Sequence, residues 1–270
     1  MSAKDNQPDW HKIAEKFDMW LPYIKPVGDS ILEVLNAQSG DKILDVASGT
    51  GEPALTLARQ MGDAVDIIGV DAAEGMIDVA QAKVDKEARN NIRFLTMPAE
   101  SLEFPDNEFD KILCRFGVML FNDPQAGAKE MCRVLKSGGS FALAVWADAE
   151  SMPTMLWAYQ VLKDKIPEDI HPPLAKITSL GEQSVIEAIL KNAGFCDVEV
   201  KRQTFHYEFD SFNDYWNIVE ASDIMKMQFD ALDESQRLSI RDEVAIFAQQ
   251  YSDDNGFHVP HDYLLVTGKK

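Results

Sequence analysis

The sequence has few cysteines, few basic residues for its acid content and no long apolar run. Its three cysteines, Cys114, Cys132 and Cys196, are odd in number and far apart, and no two form a Cys-x-x-Cys pair. A disulfide framework or a zinc site is therefore not expected. Cys114 and Cys132 lie in apolar-periodic segments and read as buried packing. No stretch reaches the roughly 18 apolar residues of a membrane-spanning helix. Met1 to Asp9 is polar and lacks the apolar run of a signal peptide, so a cytoplasmic protein is expected. Lysine and arginine number 26 against 45 aspartates and glutamates, a net charge of −19. Such a surface repels phosphate backbones and anionic lipid, which argues against a nucleic-acid partner.

What is present is enough for a large core: 46% of the 270 residues are hydrophobic. Residues 10–38 read as two helical pieces broken near Pro22 and Pro26. The pattern then alternates. Lys42 to Ala47, Val65 to Val70, Ile92 to Thr96, Phe109 to Cys114 and Ser140 to Trp146 read as short buried strands. Glu52 to Met61, Glu74 to Lys86 and Gln125 to Lys136 read as the helices between them. Alternating strands and helices imply a parallel sheet covered on both faces. Beyond Trp146 the rhythm loosens. Helices are expected at 153–165, 182–193 and across much of 211–250, with strands at Val198 to Phe209 and Tyr263 to Thr267. The expectation is one α/β domain over 1–270. A helical lid occupies 1–38, a ligand-binding core 40–146, helical cap segments 147–180 and 211–255, and closing strands 196–209 and 261–268.

The chemistry is concentrated in one turn. Gly49 and Gly51 separate the first strand from the following helix, where a missing Cβ and free helix N–H groups let a ligand approach the backbone. Asp71 ends the second strand, where a carboxylate can accept both hydroxyls of a ribose. In open α/β sheets ligands bind at such carboxyl ends, near the switch point. Gly49-Thr50-Gly51-Glu52-Pro53-Ala54 followed by Asp71 also matches the dinucleotide fingerprint. Two acids weigh against a pyrophosphate: Asp45 lies four residues before Gly49, and Glu52 opens the helix. A ligand with an ammonium and no phosphate suits them better.

Ile43-Leu44-Asp45-Val46-Ala47-Ser48-Gly49-Thr50-Gly51 resembles motif I of the class I S-adenosyl-L-methionine (SAM)-dependent methyltransferases. Val70-Asp71 with Met76, Phe104-Pro105-Asp106-Asn107-Glu108-Phe109-Asp110, and Arg133-Val134-Leu135-Lys136-Ser137-Gly138-Gly139 resemble three further motifs of that class, in order. The chain is most similar to the ubiquinone/menaquinone C-methyltransferase-like (methyltransferase type 11) branch. The resemblance is strong over about residues 40–146 and weaker in the final strands. It implies a Rossmann-like fold, a mostly parallel seven-stranded sheet with helices on both faces and helical cap additions. It also implies SAM as cofactor and S-adenosyl-L-homocysteine as product.

Residue by residue, the resemblance lays Ala47, Ser48, Gly49 and Gly51 against the methionine part of the cofactor, with Asp45 holding its amino end. Asp71 would bind the ribose, with Ala72 beside it. Met76 would pack on the adenine, and the Ala99 N–H would face the ring. Arg115 and Phe116 would face the methionine end and the acceptor. Two departures stand out: family members often carry glycine in place of Ala47, and many carry an aspartate at the place of Pro98, for which Glu100 is the candidate substitute.

The reaction implied is in-line displacement by an oxygen, nitrogen, sulfur or carbon nucleophile of a small molecule. It needs no metal, and orientation and water exclusion dominate it. Candidate bases are His11, Tyr23, His206 and Asp110, each with a packing role as the simpler reading. The cap carries Trp157, Phe212, Tyr215, Trp216 and Met152, which suits an aromatic or lipophilic acceptor but also an ordinary cap core. Two other functions share this fold: a SAM-binding module without methyl transfer, and a NAD-dependent oxidoreductase.

Overall fold

The structure is a computed structural model, and it describes residues 8–270. The part of the expected lid and of the polar leader over 1–7 lies outside the described residues. Two helices come first, α1 (Trp10–Phe17) and α2 (Leu21–Leu35). The break between them falls on a short three-ten turn, Asp18–Trp20, and not at the prolines. Pro22 sits in the first turn of α2, where its missing N–H would have no partner anyway. Pro26 is tolerated inside the helix, whose other face buries Val27, Ile31 and Leu35.

The core alternates β1 (Lys42–Val46), α3 (Ala54–Met61), β2 (Asp66–Asp71), α4 (Glu74–Glu87), β3 (Ile92–Thr96), β4 (Phe109–Arg115), α5 (Pro124–Val134) and β5 (Leu135–Trp146). The helix expected to reach Lys136 stops at Val134, because Leu135 already pairs with Phe109 of β4. After β5 come α6 (Pro153–Leu162), α7 (Leu174–Ile177), α8 (Gln183–Ala193) and β6 (Cys196–Phe209). Gly194, in a left-handed conformation with φ +108°, closes α8. The segment over 211–250 resolves into α9 (Phe212–Ala221), α10 (Lys226–Asp230) and α11 (Glu234–Ala248). A two-residue β7 (Ser252–Asp253) and a long β8 (Gly256–Lys269) end the chain. The last strand is thus much longer than Tyr263 to Thr267.

The sheet runs β3-β2-β1-β4-β5-β8-β6, with β7 paired to β8 as an eighth, short strand. β1 to β5 are mutually parallel, and β8 runs antiparallel to β5 and β6. Consecutive residues of β1 and β4 are fully buried (Ile43 with Leu44; Ile112, Leu113 and Cys114), which requires cover on both faces. Strand order reverses at β1, which lies between β2 and β4. That switch point opens a crevice at the carboxyl ends of the strands. No helix among the described residues is long and apolar enough to cross a membrane.

Candidate functional site

Three strand ends make the floor of the crevice. β1 runs into Ala47-Ser48-Gly49, β2 ends on Asp71, and β4 ends on Arg115 and passes to Phe116. Asp71 is tied to the neighbouring turns: Oδ2 accepts from the Gly49 N–H and Oδ1 from the Ala73 N–H, both at 2.9 Å. Burial pushes its carboxyl up, and those two N–H groups pull it back. The Ser48 N–H donates to the Val70 carbonyl, which completes the staple between β1 and β2.

The backbone here is unusual at two non-glycine residues. Ala47 has φ +57° and Phe116 φ +59°, in the left-handed region that L-residues enter at a cost of about 1–2 kcal/mol each. Both line the same cavity, and both follow the ends of adjacent strands. Gly49 and Gly51 do different work. A Cβ on Gly49 (φ +53°) would meet nothing within 4 Å, so that face of the turn is open. A Cβ on Gly51 would lie 2.7 Å from Leu55 Cδ1, so that glycine allows α3 to pack closely.

Two charges are left over. Asp45 is 1% exposed, and neither carboxylate oxygen has a hydrogen-bond partner. Burial pushes its carboxyl well above the ordinary range, with the nearby Arg115 guanidinium pulling the other way. Arg115 forms no ion pair with any described residue, and burial pulls its own pKa down. Isolated buried charges cost several kcal/mol unless something pairs them. An amino acid in zwitterionic form presents the opposite charges to this carboxylate and this guanidinium. The residues therefore fit the methionine portion of SAM. The start of α3 is already taken: the Glu52 carboxylate accepts from the Thr56 N–H at 3.0 Å and from Arg59 at 2.6 Å. A pyrophosphate would meet that carboxylate instead of free N–H groups.

The crevice continues into a cavity with about 380 Å³ of interior space. Asp71, Ala72, Met76, Pro98, Ala99 and Glu100 line one end, beneath α1. Here α1 approaches α4 so closely that a Cβ on Gly75 would stand 2.4 Å from the His11 carbonyl oxygen. The Gly75 N–H donates to His11 Nδ1 at 2.8 Å. One Glu100 oxygen accepts from the Asn122 N–H at 2.7 Å. The far end is apolar, roofed by α6, α9, α10 and α11 through Met152, Met155, Trp216, Met225, Phe229 and Val244. Phe116 stacks on Trp146 at 3.8 Å between centroids, where the two ends meet.

The candidate bases are not brought together. The His11 ring nitrogen is engaged by α4. Tyr23 stacks on Phe209 at 4.2 Å, outside the cavity lining. His206 is exposed on β6. Asp110 stands at the amino end of β4, where it accepts from the Lys42 N–H at 2.9 Å and from Lys136. A titratable residue absent from the sequence reading lies one residue behind the cavity wall: His261 on β8 is buried, and Thr154, its hydrogen-bond partner at 2.8 Å, lines the wall.

Comparison with known proteins agrees with this geometry. The model of the ubiE/COQ5 methyltransferase family matches residues 11–207. The chain belongs to that family. The ubiquinone/menaquinone biosynthesis C-methyltransferase UbiE of Geobacter sulfurreducens is 31% identical over 187 residues, covering 62% of this chain and 69% of the relative. That of Shewanella baltica is 30% identical over 219 residues, covering 72% and 84%. Among solved structures, the YcgJ protein of Bacillus subtilis superposes with a TM-score of 0.62 at 20% identity, over 91% of this chain and 98% of that one, a likeness of fold. As a member of the family, the chain is a SAM-dependent methyltransferase of small molecules, on a Rossmann-like α/β fold. The reading as a NAD-dependent oxidoreductase and that as a non-catalytic binding module are not favoured.

Proposed function

We propose that this methyltransferase acts on a flat, lipophilic aromatic acceptor of the quinol type, bound under the helical cap. The observation that carries the reading is the division of one cavity: orphan charges and polar turns at the strand ends, aromatic and methionine side chains beyond them. The relatives named for ubiquinone and menaquinone biosynthesis support the same acceptor class.

Within this reading, Asp45 receives the ammonium of the methionine portion and Arg115 its carboxylate. The Ala47 to Gly51 turn gives that portion room. Asp71, already ordered by Gly49 and Ala73, accepts from the ribose, its two oxygens retaining lone pairs for this. Met76 and the Ala99 N–H face the adenine, with Glu100 offering its remaining oxygen. When bound, SAM supplies an electrophilic methyl on a sulfonium. The protein's part is alignment and water exclusion: the apolar roof keeps solvent away, and the stacked Phe116–Trp146 pair separates acceptor from strand ends.

The test is a single-turnover assay with SAM and chemically reduced 1,4-naphthoquinone, read by mass spectrometry. The expected product is the C-methylated naphthoquinol. Turnover of simple amines but not of naphthoquinol would overturn the acceptor class.

A further inference from the structure

β8 carries a buried row, Phe257, Val259, His261, Tyr263, in which the Tyr263 phenol donates to Gln203 and His261 is the one imidazole. His261 is 1% exposed, its ring 4.4 Å from that of Tyr207 and 6.1 Å from that of Trp146. Nδ1 lies 3.2 Å from the Val259 carbonyl oxygen, and Nε2 lies 2.8 Å from Thr154 Oγ1. A carbonyl oxygen is only an acceptor, so Nδ1 carries the ring proton and Nε2 presents its lone pair. Burial keeps the imidazole neutral at neutral pH, pushing its pKa down to about 4. The Thr154 hydroxyl therefore spends its one proton on His261. Thr154 also faces the Tyr215 phenol, and both residues line the acceptor end of the cavity. With its proton spent on His261, the Thr154 hydroxyl has only lone pairs left for the cavity.

We infer that Thr154, held in one polarity by His261 and set beside the Tyr215 phenol, forms an acceptor-only polar spot in the apolar wall that selects methyl acceptors bearing their own O–H or N–H donor. The inference rests on the proposed reading of the cap as the acceptor site. Thr154 and Tyr215 would touch the acceptor, and His261 is a positioning residue acting through Thr154. In an otherwise apolar chamber, a lone acceptor rejects a molecule without a donor, because its own lone pairs are then buried unpaired. A phenol or quinol satisfies it; the corresponding methyl ether does not.

The test uses 1-naphthol and 1-methoxynaphthalene as matched probes, with binding followed by quenching of tryptophan fluorescence in the cofactor-free full-length protein. Wild type should bind 1-naphthol roughly tenfold more tightly than its methyl ether. Thr154→Ser should keep the preference and Thr154→Val should remove it. His261→Phe leaves the Thr154 hydroxyl in place but frees its proton to donate into the cavity. It should bring the two probes together or reverse their order, which a merely structural histidine would not do. Equal affinities in wild type, no saturable binding of 1-naphthol, or a preference that survives in both Thr154→Val and His261→Phe overturns the inference. Titration of the same proteins with S-adenosyl-L-homocysteine separates the cases. Loss of that binding in wild type would refute the cofactor site while the naphthol comparison still decides this one.

Discussion

At the amino ends of β1 and β4, Asp110 accepts from the Lys42 N–H at 2.9 Å and from Lys136 Nζ at 2.8 Å, and Lys42 pairs with Glu108. At the carboxyl ends of the same two strands, Asp45 is buried with neither carboxylate oxygen hydrogen-bonded, and the half-buried Arg115 forms no ion pair with any described residue. One sheet thus holds the same residue types in opposite conditions. A paired charge at a half-exposed edge contributes modestly to stability, whereas an unpaired one in the interior is a cost that folding alone does not repay. The difference fits a structural role at the amino end and supports the proposed ligand at the carboxyl end.

Exchanging a carboxylate for an amide at each end should separate these roles most sharply. Asp45→Asn should weaken S-adenosyl-L-homocysteine binding by about a hundredfold, the scale of one lost partner in a buried charge pair. It should also raise the melting temperature of the ligand-free protein, since a buried charge is removed. Asp110→Asn should do the reverse, leaving binding unchanged and costing about 1 kcal/mol of stability. Calorimetric titration and thermal melts on the two variants read both quantities. A normal affinity in Asp45→Asn would defeat the assignment of the ammonium site.

The same carboxyl should leave a pH signature. Its folded-state pKa is raised by burial, so between the unfolded and folded values the native state holds the extra proton. Stability of the ligand-free protein therefore falls as pH rises through the folded value. A bound ammonium favours the carboxylate form and opposes that loss. The thermal shift given by S-adenosyl-L-homocysteine should thus grow as pH rises from mildly acidic to neutral. A shift that is flat with pH in wild type, or that grows equally in Asp45→Asn, would remove Asp45 from this role.

The strand ends that make the candidate site are legible in the sequence because each belongs to a short local pattern. The 45–51 turn, Asp71 and Arg115 are each fixed by a strand end, and strands were readable from short apolar runs. The cap was not legible. Its cavity-facing residues come from five helices spread between Met152 and Val244, and nothing local marks Thr154 as facing β8. His261 was missed for a definable reason. Pro260 and Asp262 break the apolar run, so the last strand was begun at Tyr263. Alternation from Phe257 through Val259 to Tyr263 would have extended it and placed His261 inside. Pro260 is tolerated because it falls beyond Tyr263, the last residue that β5 pairs. Of the two prolines expected to break 10–38, Pro22 costs nothing because it sits in a first turn, and α2 continues through Pro26 all the same.

A smaller effect is expected where the lid helix α1 meets α4. Gly75→Ala places a methyl 2.4 Å from the His11 carbonyl oxygen, and backbone on both sides leaves it nowhere to go. The outcome should be displacement of α1 from α4, faster amide exchange over Trp10–Phe17, and cofactor-product affinity lower by roughly tenfold, on the scale of an overpacking cost. His11→Ala removes only the acceptor for the Gly75 N–H and should cost less. Unchanged exchange in Gly75→Ala would mean that α1 yields without leaving the site.

The smallest change is expected at Ala47, where two effects oppose. Glycine would relieve a left-handed torsion worth about 1 kcal/mol. The Ala47 methyl, however, occupies space over Gly117, so close that a Cβ on Gly117 would stand 2.4 Å from it, and losing that half-buried methyl offsets much of the gain. Ala47→Gly should therefore move stability by less than about 1 kcal/mol in chemical denaturation, whereas Gly51→Ala, which combines φ +104° with a 2.7 Å clash on Leu55, should cost more than about 2 kcal/mol. A large loss in Ala47→Gly would mean that the methyl, not the torsion, fixes this turn, and that alanine here serves packing between the ends of β1 and β4 and stores no strain for the ligand to use.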